Sequence, residues 1–304
     1  MTDQAVHPGT LVVVILTYNE EANIAHALDS VAGWASEIFV LDSLSTDRTL
    51  EIVRRYGCQI AQNKFENYAK QRNYALDHLP VHCEWVLFLD ADEWLTNELK
   101  DEIKRVIASD PLEDGFFLKR RLMWMGTWIR RGYYPTWILR LFRRGRARCE
   151  SRSCNEHLVI DGKVGRLKAD FMHEDHKGIS DWIAKHNRYA TLEALELLNA
   201  EKAPFDLPVR FWHTSQVGRK RWLRHRIWNR MPPLLRPFFY FLYRSILCGG
   251  SLDGSRALIY HFLQALWYPL LIDIKYLELR GASRPSAGEP ATFEGADGVR
   301  KSRC

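Results

Sequence analysis

The sequence predicts an α/β fold: a mostly parallel, doubly wound sheet flanked by helices, followed by a helical, aromatic- and Arg-rich appendage. Three observations carry this. Short apolar runs at 11–16, 38–41 and 85–89 have the length and β-branched composition of strands buried on both faces, and each halts at a polar or acidic residue. The stretches after the first two space their apolar residues at helical intervals and end at Gly33 and Gly57. Beyond Pro204 the composition shifts toward tryptophan, phenylalanine and arginine.

In chain order, the strand at 11–16 runs into Thr17-Tyr18-Asn19-Glu20. The following helix carries Ile24, Ala27, Leu28 and Val31 on its apolar stripe, with Asn19 placed to cap its start. A second strand ends at Asp42, and Ser45-Thr46-Asp47 opens a helix bearing Leu50, Ile52 and Val53. A third strand at 58–61 and a helix at 67–78 lead to the central strand at 85–89. Residues 97–108 read as a polar helix, 116–118 and 134–142 as strands, and 181–199 as an amphipathic helix. Expected organisation is a catalytic α/β domain at 1–204, a helical and membrane-interfacial appendage at 205–280, and a disordered tail at 281–304 rich in Gly, Ala, Ser and Pro.

A chain of 304 residues with 46% hydrophobic composition can bury a substantial core. Its six cysteines lack metal-ligand or disulfide-framework spacing and Met1 to Gly9 is polar, so a reducing, cytoplasmic setting is expected. The formal charge of +6 conceals an asymmetry: between 219 and 236 stand Arg219, Lys220, Arg221, Arg224, Arg226, Arg230 and Arg236 with no acid among them. Interleaved aromatics direct this basic surface toward a membrane interface rather than nucleic acid. The apolar stretch at 257–274 is interrupted by His261, Gln264, Pro269 and Asp273, which favours peripheral association over spanning.

Asp90 and Asp92 stand one residue apart where the central strand stops. In an open α/β sheet ligands gather beyond the C-terminal strand ends, and a carboxylate pair there can hold a divalent cation against a phosphorylated ligand. D-x-D alone is a weak signal, so context decides. Arg72 and Asn73 sit on the helix leading to that strand. A dense set of arginines from Arg120 to Arg144, Arg140 among them, has the chemistry to clamp phosphates or anionic acceptors. His173 can complete a metal shell, and Glu174 and Asp175 follow it directly.

The ordered set V-V-V-I-L-T-Y-N-E-E, L-D-S-L-S-T-D-R-T, A-K-Q-R-N and F-L-D-A-D-E-W resembles family 2 glycosyltransferases of the GT-A (Rossmann-like) fold over about residues 10 to 200. The later N-E-H-L, the H-E-D cluster and L-D-G-S-R-A-L-I-Y-H-F-L-Q-A resemble the subgroup of lipopolysaccharide core heptose glucosyltransferases and related polysaccharide enzymes. The resemblance implies that Thr17, Tyr18, Asn19, Glu20 and Asp42 surround the nucleotide of a sugar donor, with Arg72 and Asn73 nearby. It further implies that Asp90 approaches the ribose and that Asp92 binds Mg2+ or Mn2+. Ser43 stands where many members carry a second acid. Gly218 replaces the first polar residue of the R-x-x-R-W or Q-x-x-R-W motif of processive members.

Displacing a nucleoside diphosphate from an anomeric carbon leaves negative charge that a divalent cation stabilises, while the acceptor hydroxyl needs a carboxylate base. Glu156 is the candidate base, with Glu174 and Asp175 as rivals. The resulting expectation is an inverting transferase acting on a glycolipid or oligosaccharide acceptor of lipopolysaccharide or exopolysaccharide type, at the cytoplasmic face of the inner membrane. Alternatives are transfer to a polyisoprenyl phosphate, or a non-catalytic module binding nucleic acid or another anionic surface.

Overall fold

A computed structural model of the chain describes residues 9–79, 83–150, 158–202 and 231–282. The first half alternates as expected: β1 Leu11–Thr17, α1 Ile24–Val31, β2 Glu37–Asp42, α2 Thr49–Arg55, β3 Gln59–Gln62, α3 Tyr68–Asp77 and β4 Trp85–Asp90. A short strand, β5 Glu93–Leu95, precedes α4 Asn97–Ala108. The second half supplies β6 Gly115–Trp124, β7 Thr127–Trp128, β8 Thr136–Arg143, β9 Ala147–Cys149, β10 Leu158–Ile160, β11 Val164–His173 and α5 Ile179–Lys202. The main sheet runs β3-β2-β1-β4-β8-β6-β11-β5, with β7 paired to β6 and a separate β9–β10 ribbon.

The unbroken apolar runs are explained by two cores. Leu11, Val13 and Ile15 of β1 enter one with Ile24 and Leu28 of α1 and Leu99 and Ile103 of α4. Val12 and Val14, pointing the other way, meet Phe88 and Ala75 of α3. A strand covered on both sides has no position for a polar side chain until it emerges at its end.

The mostly parallel order expected of the sheet holds from β3 to β4, and β6 and β11 are also parallel. The neighbours β4–β8, β8–β6 and β11–β5 are antiparallel. The reason is local. No helix intervenes between β6 and β8, and a parallel return needs a crossover while a hairpin does not. Met125 and Gly126 turn the β6–β7 hairpin with φ of 49° and 72°, the twist a two-residue hairpin turn requires.

At the C-terminal end, α6 Arg236–Leu242, a π-helical turn Tyr243–Leu247 and a 3-10 turn Gly250–Asp253 lead to α7 Ser255–His261, a π segment Phe262–Trp267, and α8 Tyr268–Ala282. The π segment precedes Pro269, whose missing N–H and bulky ring break the ordinary helical ladder. The polar interruptions in this apolar stretch are internal: Asp273 accepts from Arg236 Nε at 2.9 Å, and His261 is fully buried. Tyr276 packs against Ala194 and Leu198 of α5, and Tyr260 and Ala257 against Leu122 and Ile129, so these helices dock on the α/β core. The segment at 205–230, the tail from 283 and most of the basic run lie outside the described residues.

Candidate active site

Sheet register places the sequence-distant polar residues on one row. Thr17 pairs with Asp42, Leu16 with Asp90, and Asp42 with Gln62, so the C-terminal ends of β1, β2, β3 and β4 present their polar residues side by side. Asp42 is fully buried there. Its carboxylate accepts from Thr17 Oγ1 at 3.0 Å, Ser45 N at 2.9 Å, Ser45 Oγ at 2.5 Å and Gln62 Nε2 at 3.0 Å. With those acceptor positions filled, Asp42 ties two loops together and offers no open carboxylate to a base.

The loop after β1 is bound to the loop after β2 by Asn19. Its amide N–H donates to Ser45 Oγ at 2.9 Å, and its side-chain oxygen accepts from Thr46 N at 2.8 Å. Asn19 therefore does not cap α1, whose first turn follows Asn23. Asn19 and Leu44 adopt φ of 52° and 64°, a left-handed conformation that asparagine tolerates and that costs leucine roughly 1–2 kcal/mol. Tyr18, next to Asn19 in the loop after β1, is 57% exposed.

Beyond β4 the chain turns at Ala91 and returns as β5, which pairs antiparallel with β11 so that Glu93 faces His173. That pairing brings His173 to the D-x-D turn from eighty residues away. Its Nδ1 lies 3.4 Å from Asp92 Oδ1 and 3.9 Å from Glu93 Oε1, buried and without a hydrogen bond. Lys185 of α5 stands 4.0 Å from Asp92 Oδ2 and 3.9 Å from Asp175 Oδ2. Burial raises the cost of the Asp92 charge, yet His173 and then Lys185 outweigh it and hold the carboxyl down to about 2.

Asp90 is engaged differently. Arg140 of β8 donates to Asp90 Oδ2 at 2.5 Å and to Glu93 Oε1 at 2.6 Å, and Arg72 reaches Asp90 Oδ1 at 3.5 Å. Burial opposes ionisation of Asp90, but Arg140 and then Arg72 keep it well below the usual carboxylate range. Burial pushes Glu93 the other way despite the same arginine. Glu20 is also raised by burial, although Lys177 donates to it at 2.6 Å and Asn23 at 2.8 Å.

The structure thus gathers Thr17, Glu20, Asp42, Arg72, Asp90, Asp92 and His173 around one crevice, and sorts them by availability. Asn73 is turned away: its side chain exchanges two hydrogen bonds with the backbone of Cys149, fastening α3 to β9. Arg140, expected among anion-clamping arginines, is 5% exposed and spent on internal carboxylates. Glu156 lies outside the described residues.

Three participants escaped the sequence reading. Glu93 was hidden because β5 is three residues long, and Lys185 because a cation on an amphipathic helix reads as solvated. Asn23 joins the β1–α1 loop to the loop after β11, donating to Asp175 Oδ1 at 3.0 Å and accepting from His176 N at 2.7 Å. The only signal for Asn23 was a polar residue beside an otherwise apolar helical stripe. Asp92 and His173 suit a divalent cation that takes one or two protein ligands and completes its shell with phosphate and water oxygens. Among the described residues no three His, Cys, Asp or Glu side chains form a closed cage.

In an α/β sheet, a strand-end crevice with paired carboxylates and nearby cations is a place where a phosphorylated ligand can bind. The family model for Glycosyl transferase family 2 matches residues 12–157, and the chain belongs to that family. An uncharacterized glycosyltransferase of Rickettsia typhi is 30% identical over 200 residues, covering 62% of this chain and 68% of the relative. Glycosyltransferase SunS of Bacillus subtilis is 35% identical over 101 residues, 32% of this chain and 23% of its own. The crystal structure of residues 1–349 of Staphylococcus aureus TarS shares 19% identity over 95% of this chain and all of that one, with a TM-score of 0.44. The fold is the GT-A arrangement of a central sheet flanked by helices, with C-terminal helices added.

Proposed function

We propose that this family 2 enzyme is an inverting, divalent-cation-dependent transferase. It moves a sugar from a nucleotide-sugar to a hydroxyl of a membrane-associated glycolipid or polysaccharide, of lipopolysaccharide core or exopolysaccharide type. The observation that carries the reading is the convergence of Asp92 with the buried, unbonded Nδ1 of His173, at the end of the row formed by Thr17, Asp42 and Asp90.

Asp92 and His173 would hold Mg2+ or Mn2+, which stabilises the leaving diphosphate. Tyr18 and the loop at 43–47, tied down by Asp42 and Asn19, would receive the base. Asp90, fixed by Arg140 and Arg72 and still partly exposed, would meet a ribose hydroxyl. Lys185 balances the charge of Asp92 while donor phosphates are absent. Glu156 takes the acceptor proton, and Glu174 and Asp175, which follow His173, are its rivals among the described residues. The domain limits proposed are 1–204 for catalysis and 205–280 for an appendage at the cytoplasmic face of the inner membrane.

A panel of nucleotide-sugars tests the reading by thermal stabilisation and turnover, with Mg2+, with Mn2+ and with chelator. One donor should stabilise the protein in a cation-dependent manner, and Asp92→Asn should abolish that shift. Retained cation-dependent turnover in Asp92→Asn overturns the metal assignment. Glu156→Gln should lower turnover by about 10²–10⁴-fold with donor binding intact; a full rate in that variant, with loss in Asp175→Asn, transfers the base to Asp175.

A further inference from the structure

A groove of about 780 Å³ opens between the β6–β7 hairpin, the start of α5 and the C-terminal helices. That volume is in the range of small-molecule sites. One side is formed by Trp124 and Trp182, packed edge to face at 5.5 Å, and the other by Leu258, Ile259, Phe262 and Leu263. Its polar members are Glu174 and Asp175. Those acids follow His173 in the chain, and Glu174 N donates to Asp92 O at 3.0 Å, so the polar end adjoins the reaction centre. Glu174 Oε1 also accepts from Gly126 N at 2.9 Å, fixing the hairpin that forms the groove edge.

The other end meets the outer surface of the C-terminal helices. Ile259 and Phe262 are each 48% exposed, and Ile246 and Leu247 beyond them are 64% and 79% exposed. An apolar surface of this kind is unusual for a monomer facing only water. The helix Ser255–Gly281 is long and apolar enough to cross a membrane, with a mean hydropathy of 1.3 over its 18-residue window, and 39% of that window is buried. The sequence running into α6, from 219 to 236, carries seven cationic residues and no acid, as suits an anionic membrane surface.

We infer that this groove seats an acyl chain of the glycolipid that carries the acceptor sugar. This rests on the glycosyltransferase reading above. The chain enters from the exposed helical face, lies along Trp124 and Trp182, and presents its sugar at Glu174 and Asp175. An amphiphile is the occupant because the groove is apolar along its length and acidic where it meets the crevice. A sugar hydroxyl donates hydrogen bonds to carboxylates, whereas the phosphate of a polyisoprenyl phosphate would meet two carboxylates among the lining residues, with Lys185 already facing Asp175.

The test uses the full chain with vesicles of phosphatidylethanolamine and phosphatidylglycerol. The vesicles contain a glycosyl diacylglycerol with a diazirine at the end of one acyl chain. After photolysis, labelled residues are mapped by peptide mass spectrometry. Label at Trp124, Trp182 and Leu263 is expected. Ile259→Trp, which fills the groove, should remove label from Trp182 while label at Leu247 persists; Leu263→Ala, which enlarges it, should keep Trp182 labelled. Label confined to Ile246 and Leu247, or no label at all, overturns the inference. So does a dimer in light scattering that shields Trp182 from label. A nucleotide-sugar thermal shift on the same preparation separates the two claims: a shift with an unlabelled groove defeats this inference alone, and labelling without any shift defeats the donor reading instead.

Discussion

The first hundred described residues and the last fifty both hold buried polar groups in internal partnerships, but they differ in what they expose. From β1 to β5 nearly every carboxylate at the strand ends is bound inside the protein: Asp42 by Thr17, Ser45 and Gln62, and Asp90 and Glu93 by Arg140. Between 236 and 282 Arg236, Ser245, His261 and Asp273 are buried, the arginine and aspartate as a pair, while leucines, isoleucines and phenylalanines stand exposed on the outer face. The contrast fits the two tasks proposed above. A crevice that must stabilise phosphate charge needs dipoles and ions fixed before the ligand arrives. A surface that meets a hydrocarbon environment needs its polar groups satisfied internally.

Breaking the inner network should give the largest stability effect. Arg140→Met leaves the Glu93 carboxylate buried without its partner and should cost about 3–5 kcal/mol in chemical denaturation. The double variant Arg140→Met/Glu93→Gln should recover part of that loss. If Arg140→Met alone is neutral, the donor half does not depend on its ion network as described.

Asn23→Ala should follow at about 1–3 kcal/mol, because it leaves Asp175 and His176 N without their shared partner. Its second readout is a raised KM for donor, since the loops after β1 and β11 separate.

The acid limb sharpens the comparison further. Asp90 has a folded pKa below its ordinary 3.8, so its contribution is present above that value and lost as pH falls through the folded pKa. Asp90→Asn should therefore show a shallower loss of stability below pH 3.8 than the parent protein, measured by urea unfolding at stepped pH.

On the other side of the comparison, Leu247→Asp should change stability by less than about 0.5 kcal/mol while weakening binding to phosphatidylglycerol vesicles. A clear loss of stability with unchanged vesicle binding would make Leu247 part of a protein contact instead.

What was legible in the sequence follows the same division. The strands from 11 to 90 could be read because burial on both faces leaves a continuous apolar run, and the helices between them because one face is apolar. Asp92 and His173 were legible as chemistry, although only the pairing of β5 with β11 brings them together. The role of Arg140 was not: among many arginines, nothing local distinguishes one that faces inward. Antiparallel pairing in the second half was missed because apolar runs there carry no direction, and nothing local showed that the Asn73 side chain bonds to a backbone seventy-six residues away. The segment at 205–280 was read as a helical, membrane-interfacial appendage, whereas the groove behind its described helices is made by elements far apart in sequence.

The account turns on Asp92 and His173 sharing a cation with the donor diphosphate. The most direct measurement is Mn2+ binding followed by electron paramagnetic resonance, with and without the stabilising nucleotide-sugar, in the parent protein, Asp92→Asn and His173→Ala. The account predicts a bound-Mn2+ signal that strengthens with donor, is lost in Asp92→Asn and is weakened about 10–100-fold in affinity in His173→Ala. Equal Mn2+ affinity in all three proteins would contradict it.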